Sequence, residues 1–262
     1  MHTELLTLAT DVARESAEII RTFYGTALVT EKKDSSPVTE ADIAAHEHIA
    51  KRLKETAIPI LSEEDAELRA LPYPERIWIV DPLDGTKGFI NGTDDFSVMI
   101  ALIEHGRPVV SVVHLPIGNI VYSAVRGSGA WVHHNGERET LHVSNRMQPH
   151  LRGMLSVNHL APYMLALNEQ LSVTETVSVG SIGIKAGYIA HDKADFYVNQ
   201  GKLGEWDVCA PELILTEAGG MVTDTRGEPL FYGSKDHRIT HGVVFSNGTA
   251  HDLILAALAE IA

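Results

Sequence analysis

The sequence predicts an α/β protein of two packed lobes, an α+β lobe over residues 1–148 and an α/β lobe over residues 149–262. Three observations carry this: an amphipathic helical opening, a run of short β-like segments separated by turns in the first half, and strand alternating with helix in the second. Leu5, Leu8, Ala9, Val12, Ala13, Ile19, Ile20 and Phe23 form one helical stripe over residues 5–23. After the break at Ser35, Ser36 and Pro37, Thr39 followed three residues later by Asp42 has the form of a capping box, and a second helix runs from there through Leu53.

β-like runs follow at 58–61 and 77–80. Residues 96–103 and 108–115, separated by Glu104, His105, Gly106 and Arg107, read as a hairpin, with further strands at 120–125 and 130–133, so the first sheet should be largely antiparallel. From residue 150 the reading is strand at 154–157, helix at 163–171, strand at 176–179, helix at 184–190, strand at 196–198, helix at 208–218, strands at 221–223 and 243–246, and helix at 253–261. There is no internal repeat, low-complexity tract or long linker, so the boundary near 145–152 reads as an interface between packed lobes, where a site is expected.

Composition narrows the function. With 262 residues, 44% hydrophobic and 21% charged, the chain can bury a sizeable core. A formal charge of −14 excludes a general nucleic-acid or anionic-membrane surface, which needs many Lys and Arg. No stretch approaches the roughly 18 apolar residues of a spanning helix, and Met1-His-Thr-Glu4 lacks a basic leader, so a cytoplasmic protein is expected. The single cysteine, Cys209, forms no internal disulfide and reads as core within a helix. Fourteen histidines show no zinc-type spacing: His46 and His48, His133 and His134, and His237 and His241 read mostly as solvated. The sequence does not distinguish a monomer from a homodimer.

The chemistry lies in the acids. The apolar run 77–80 ends in Asp81 and Asp84, with Pro82 stiffening and Gly85 relaxing the turn at the end of the strand. Such a turn can aim two carboxylates and the Leu83 carbonyl at one point, a donor set for a hard cation such as Mg²⁺, while the amides of Gly85 and Thr86 face a phosphate. An isolated turn of this kind is as often a polar bend. Two further acidic sites shift the balance: Glu63, with Glu64 and Asp65, after the run 58–61, and Asp207 before the helix at 208. Carboxylates at the ends of separate elements are how a two-metal site is assembled. Taken singly, Asp207 could be a helix cap, Glu63 part of a solvated charge run, and Asp42 only the capping-box acid.

Together the segments SPVTEAD (36–42), LSEED (61–65), WIVDPLDGTKGF (78–89) and GEWDVCAPELILTEAGG (204–220) resemble, in order and approximate spacing, the lithium-sensitive inositol monophosphatase superfamily, over nearly the whole chain. The resemblance implies a layered αβαβα sugar-phosphatase fold, a small phosphorylated substrate, and two or three Mg²⁺ ions for which Mn²⁺ can substitute. Lys87-Gly-Phe89, Trp206-Asp-Val-Cys-Ala-Pro-Glu212 and Gly180-Ser-Ile-Gly-Ile-Lys185 are most similar to the 3′(2′),5′-bisphosphate nucleotidases, which convert adenosine 3′,5′-bisphosphate to AMP, a reaction of sulfur metabolism.

Carried over by that resemblance, Glu63, Asp81, Leu83 (through its carbonyl), Asp84 and Asp207 hold metal, and Asp42 and Thr86 position the attacking water. Gly85 and Thr86 hold the phosphate, with Glu63, Leu83, Asp84 and Asp207 bordering the substrate through the metals. His159, Gly180, Ser181 and Lys185 complete the substrate contacts, the glycine-bearing loop 180–183 suiting close phosphate approach; Lys185 could equally be a solvated surface lysine. The pattern departs from the family at Asn199, where an arginine is frequent, which leaves either Lys202 as a substitute or a more loosely held second phosphate.

Overall fold

The computed structural model describes residues 2–31, 37–65, 73–157 and 160–261. Ser35, Ser36 and His159 therefore lie outside the described residues. The first half of the chain comprises α1 (His2–Phe23), β1 (Val29–Glu31), β2 (Pro37–Thr39), α2 (Glu40–Leu53), β3 (Ile60–Ser62), β4 (Arg76–Asp84), α3 (Thr86–Ile90), β5 (Ser97–Glu104), β6 (Arg107–Leu115), β7 (Ile120–Val125), β8 (Gly129–His134) and β9 (Glu137–Thr140). The second comprises β10 (Arg152–Ser156), α4 (Pro162–Gln170), β11 (Glu175–Val179), α5 (Ile182–Ala190), β12 (Phe196–Asn199), β13 (Leu203–Gly204), α6 (Glu205–Glu217), β14 (Met221–Thr223), β15 (Arg238–Ile239), β16 (Val243–Ser246) and α7 (His251–Ile261).

Strands β3 to β9 form a seven-stranded sheet in chain order, parallel between β3 and β4 and antiparallel thereafter. The hairpin expected at 96–115 is β5–β6. Alternation along these strands divides the sheet's two faces. Trp78, Val80, Val98, Ile100, Leu102, Val110 and Val112 pack with Val12, Ile20, Ile49 and Leu53 of α1 and α2. Ile77, Ile79, Met99, Ala101, Ile103 and Val113 pack instead with Ile184, Ile189, Val208 and Ile214 of α5 and α6. A sheet covered on both faces needs strands apolar on both sides, which is why 77–80 reads as a continuous hydrophobic run.

A second, five-stranded sheet has the order β11-β10-β12-β16-β14, parallel from β11 to β12 and antiparallel beyond. One face joins the α5–α6 layer through Met154, Val179, Tyr197 and Phe245. The other takes α4 and α7 through Leu167, Phe196, Val244, Ile254 and Leu258. The result is five layers, α1–α2, sheet, α5–α6, sheet, α4–α7, the αβαβα order that the sequence resemblance implies. No helix among the described residues is long and apolar enough to cross a membrane.

Some elements differ from the sequence reading. Helix α6 begins at Glu205, not at 208, because Gly204 is extended (φ −74°, ψ 155°) and its amide donates to Asp207 Oδ2 at 2.6 Å, so Asp207 sits in the first turn of the helix. Strands β1, β2, β9, β13 and β15 go unread because they are two to four residues long. Not all histidines are solvated: His114 is buried between the Ala13 carbonyl and Asn119, His251 between Thr223 and Ser246, and His237 lies 3.6 Å from Glu205. Cys209 is buried.

Helix α6 also buries Glu212, whose Oε2 accepts from the Tyr232 hydroxyl and whose Oε1 lies 4.0 Å from Arg107 Nη1. Burial pushes its carboxyl up to about 7 from an ordinary 4.5, against the pull of Tyr232 and Arg107. A folded-state value above the unfolded one means that stability from this group is full below about pH 4.5 and is lost as pH rises through about 7. Glu212→Gln removes that dependence. Its unfolding free energy relative to wild type is expected to rise by about 2 kcal/mol between pH 5 and pH 8, measured by urea denaturation at both pH values. A constant difference would show that Glu212 stays ionised in the fold.

Candidate functional site

Strand β4 loses its regular pairing with β5 between Asp81 and Asp84, and the chain turns sharply there into α3. The Leu83 amide donates to Asp81 Oδ1 at 3.0 Å, fixing the first carboxylate in the turn. Gly85 has φ +91°, and a Cβ there would lie 2.3 Å from the Asp95 carbonyl oxygen, so only glycine fits. This lets α3 start immediately at Thr86. The Thr86 hydroxyl is shared between Asp42 Oδ1 (3.1 Å) and the Leu83 carbonyl (3.2 Å).

Asp42 has two distinct oxygens. Its Oδ2 accepts from the Thr39 amide at 2.8 Å and the Thr39 hydroxyl at 2.6 Å, completing the capping box of α2, while Oδ1 faces Thr86. The cap and the link to Thr86 therefore coexist in one carboxylate. Burial raises its affinity for a proton, against the hydrogen bonds from Thr39 and Thr86.

Glu63, just beyond β3, Asp81 on β4 and Asp207 on α6 each bring a carboxylate oxygen to within 4.8 Å of the others. Burial pushes Asp81 well above the usual carboxylate range, and the charges of Glu63, Asp84 and Asp207 push it further. Asp207 is raised for the same reasons, burial first and then Glu63 and Asp84. Converging buried carboxylates repel one another unless protons or cations intervene. An all-oxygen, all-anionic donor set without histidine or thiolate fits a hard divalent cation such as Mg²⁺ or Mn²⁺.

Asp84 has one oxygen engaged by the second half of the chain. Its Oδ2 accepts from the Ser181 hydroxyl, from the Gly183 amide at 2.9 Å and, at 3.4 Å, from Ser97. Burial raises its carboxyl, while the bonds from Ser181 and Gly183 and the charge of Lys185 lower it. Ser181 and Gly183, at the start of α5, thus brace Asp84. A Cβ at Gly183 would lie 2.6 Å from Ser97 Oγ and 2.8 Å from Met99 Sδ, so this glycine is needed for the close approach of α5 to β5.

Lys185 is not the solvated surface lysine that the sequence also allows. It is 1% exposed; its Nζ donates to the Gly180 carbonyl at 2.7 Å and lies 4.7 Å from the centre of the Tyr197 ring. Burial lowers its pKa to about 8, against the pull of Asp84 and Asp95. Lys185→Met is expected to cost about 1–3 kcal/mol of stability by stranding the Gly180 carbonyl, and to lower turnover by the same factor on a bisphosphate and a monophosphate. Steady-state kinetics on both checks this; a rise in KM confined to the bisphosphate would put the ammonium on the substrate.

Several contributors are absent from the sequence reading: Ser97, which also contacts Ser181 at 3.0 Å; Glu205, whose Oε1 accepts from the Gly233 and Ser234 amides and holds that loop on α6; and Arg238, 5.3 Å from the Trp206 ring and near enough to lower Asp207. Glu205 lies within the GEWD segment, whereas Ser97 and Arg238 carry no local sequence signal.

The inositol monophosphatase family profile matches residues 1–262. The 3′(2′),5′-bisphosphate nucleotidase CysQ of Aggregatibacter actinomycetemcomitans is 35% identical over 245 residues, 89% of each chain. Among solved structures, CysQ from Bacteroides thetaiotaomicron, a bacterial member of the inositol monophosphatase family, is 32% identical with a TM-score of 0.79 over 93% of this chain and 97% of its own. The Thermotoga maritima IMPase TM1415 is 29% identical with a TM-score of 0.85 over 98% of both chains.

Proposed function

The chain belongs to the inositol monophosphatase family, a family of phosphatases, and from that premise we propose that it is a cytoplasmic, Mg²⁺-dependent phosphomonoesterase that removes the 3′-phosphate of adenosine 3′,5′-bisphosphate to leave AMP. The observation that carries this reading is the convergence of Glu63, Asp81 and Asp207 beside the Thr86–Asp42 hydrogen bond.

In this proposal Glu63, Asp81, Asp207, the free oxygen of Asp84 and the Leu83 carbonyl hold two or three cations. Cations held by these residues would supply charge neutralisation of the phosphate dianion and Lewis-acid polarisation of its oxygens. The Thr86 hydroxyl orients a water on the far side of the phosphorus from the leaving oxygen; as the new P–O bond forms and the bond to the 3′ oxygen breaks, Asp42 Oδ1 receives the water's proton and the departing oxygen takes one from solvent. A carboxylate made more basic by burial suits that task. The positive-φ turn at Gly85 aims the Gly85 and Thr86 amides at the phosphate. Catalysis then rests on positioning and charge neutralisation.

Relatives named as 3′(2′),5′-bisphosphate nucleotidases support the substrate. One observation favours a second reading, the same hydrolysis acting on an inositol or sugar monophosphate: Lys185 is turned inward, which leaves Lys202 and Arg238 as cations for a second phosphate. Phosphate release from adenosine 3′,5′-bisphosphate, its 2′ isomer, phosphoadenylyl sulfate, inositol 1-phosphate and fructose 1,6-bisphosphate separates the two. One charge-assisted contact to the second phosphate should give the nucleotide at least about a tenfold advantage in kcat/KM over inositol 1-phosphate. A higher kcat/KM on inositol 1-phosphate overturns the substrate assignment and keeps the chemistry.

A further inference from the structure

Away from the acids, cationic groups gather where an excess of negative charge makes them least expected. Thr3, Thr7, Thr10 and Arg14 recur at intervals of four, three and four residues, and so share one face of α1. That face overlooks β7, β8 and β9 across a groove of about 290 Å³, close to the lower end of the range for small-molecule sites. On the sheet side, His133 and Arg138 are direct cross-strand partners, a pairing of like charges whenever the imidazole is protonated. Arg138 lies over the Trp131 ring at 4.1 Å. Burial, and then the charges of Arg138 and Arg14, hold the His133 imidazole below its usual value.

Among the described residues, no carboxylate pairs with Arg14 or Arg138; Asp11 lines one end of the groove without pairing with either. A solvated arginine needs no partner, so the arginines alone would not make a site. The independent observation is Ser123. It stands opposite Trp131 in the β7–β8 pairing, lines the same groove, is 1% exposed, and its hydroxyl has no hydrogen-bond partner. A buried hydroxyl left unpaired costs about 1–3 kcal/mol unless something arrives to bond it. A smaller hollow of about 120 Å³ shares Arg14 and His133 and adds Asn119, His134, Asn135 and Glu137, a polar surface of mixed charge.

We propose that the groove between α1 and β7–β9 is a second binding site, for a small anion of the phosphate class, held by Arg14, Arg138 and His133 with the Ser123 hydroxyl beneath. Guanidinium groups match a tetrahedral oxyanion in charge and in donor spacing. Strands β7–β9 lie three to five positions along the sheet from β4, roughly 15–25 Å from the acids, so one anion cannot occupy both places.

The test is equilibrium dialysis of the full chain with labelled inorganic phosphate and, separately, with labelled adenosine 5′-monophosphate, in excess EDTA so that the acid cluster repels both. Wild type should bind one saturable equivalent of at least one of the two probes; binding of the nucleotide alone assigns the site to phosphate esters. The Arg14→Ala/Arg138→Ala variant should lose that equivalent or bind it at least about tenfold more weakly. Its turnover without added anion should match wild type, which shows that it folds. Ser123→Ala should weaken binding in the same direction. Equal affinity in wild type and the double variant, or no saturable binding of either probe up to about 10 mM, overturns the proposal. The outcome is independent of the catalytic reading, since no metal is present.

Discussion

Stripping divalent cations with excess EDTA is expected to reduce phosphate release by at least about 10³-fold, because the cations supply several kcal/mol of transition-state stabilisation that no lysine or arginine replaces. Lys185 is committed to the Gly180 carbonyl, and Asp81, Asp84 and Asp207 would otherwise face the phosphate as bare charge. A second readout needs no substrate. The carboxyls of Asp81, Asp84 and Asp207 all sit above their ordinary values when cation-free. Stability from such groups is present at low pH and is lost as pH rises past their unfolded values, near 3.8. Cations displace those protons, so the rise in Tm on adding Mg²⁺ should be larger at pH 8 than at pH 5. Undiminished turnover in EDTA would sink the metal-assisted mechanism; a Tm shift independent of pH would detach the cations from these acids.

Asp42→Asn should lower kcat by about 10² to 10⁴-fold while costing on the order of 1 kcal/mol in stability. To keep the cap, the asparagine oxygen must stay on Thr39, which places its NH₂ against the Thr86 hydroxyl and removes the acceptor at Oδ1. Folding survives and proton acceptance fails. Thr86→Ala should behave similarly, and the double variant should be little worse than either single, if both groups serve one water as proposed. Measuring kcat and Tm for all three settles the division of labour. Near-normal turnover with a lowered Tm in Asp42→Asn would leave that residue as a helix cap alone.

The parts of the molecule legible in the sequence are those whose physics is local. An apolar run that ends in Asp81 and Asp84 advertises a strand delivering charge, and the Thr39 to Asp42 spacing advertises a cap; both are contacts within three residues. The five layers come from helical stripes and strands buried on both faces. The bracing of Asp84 is different in kind, because Ser181 and Gly183 reach it across 97 and 99 residues of sequence. Nothing in Gly180-Ser-Ile-Gly-Ile-Lys185 distinguishes a loop that cradles a ligand from one that cradles a carboxylate. For the same reason the sequence leaves Lys185 open between a surface lysine and a buried one: its burial depends on Tyr197 and on a sheet formed later in the chain. The Arg14, His133 and Arg138 groove is equally silent, since its halves are more than a hundred residues apart.

The layer order also bears on how the molecule is made. The face of the first sheet that carries Ile79, Met99, Ala101 and Val113 is covered by helices drawn from residues 182–217. At a synthesis rate of about 5–20 residues per second, a nascent chain that has just completed that sheet waits seconds for its cover. During that interval the growing polypeptide presents a broad apolar surface to the crowded cell and has no Asp207 to complete the acid cluster. Premature termination near residue 150 would leave that surface permanently bare, a fragment destined for chaperones or proteases and not a smaller working enzyme.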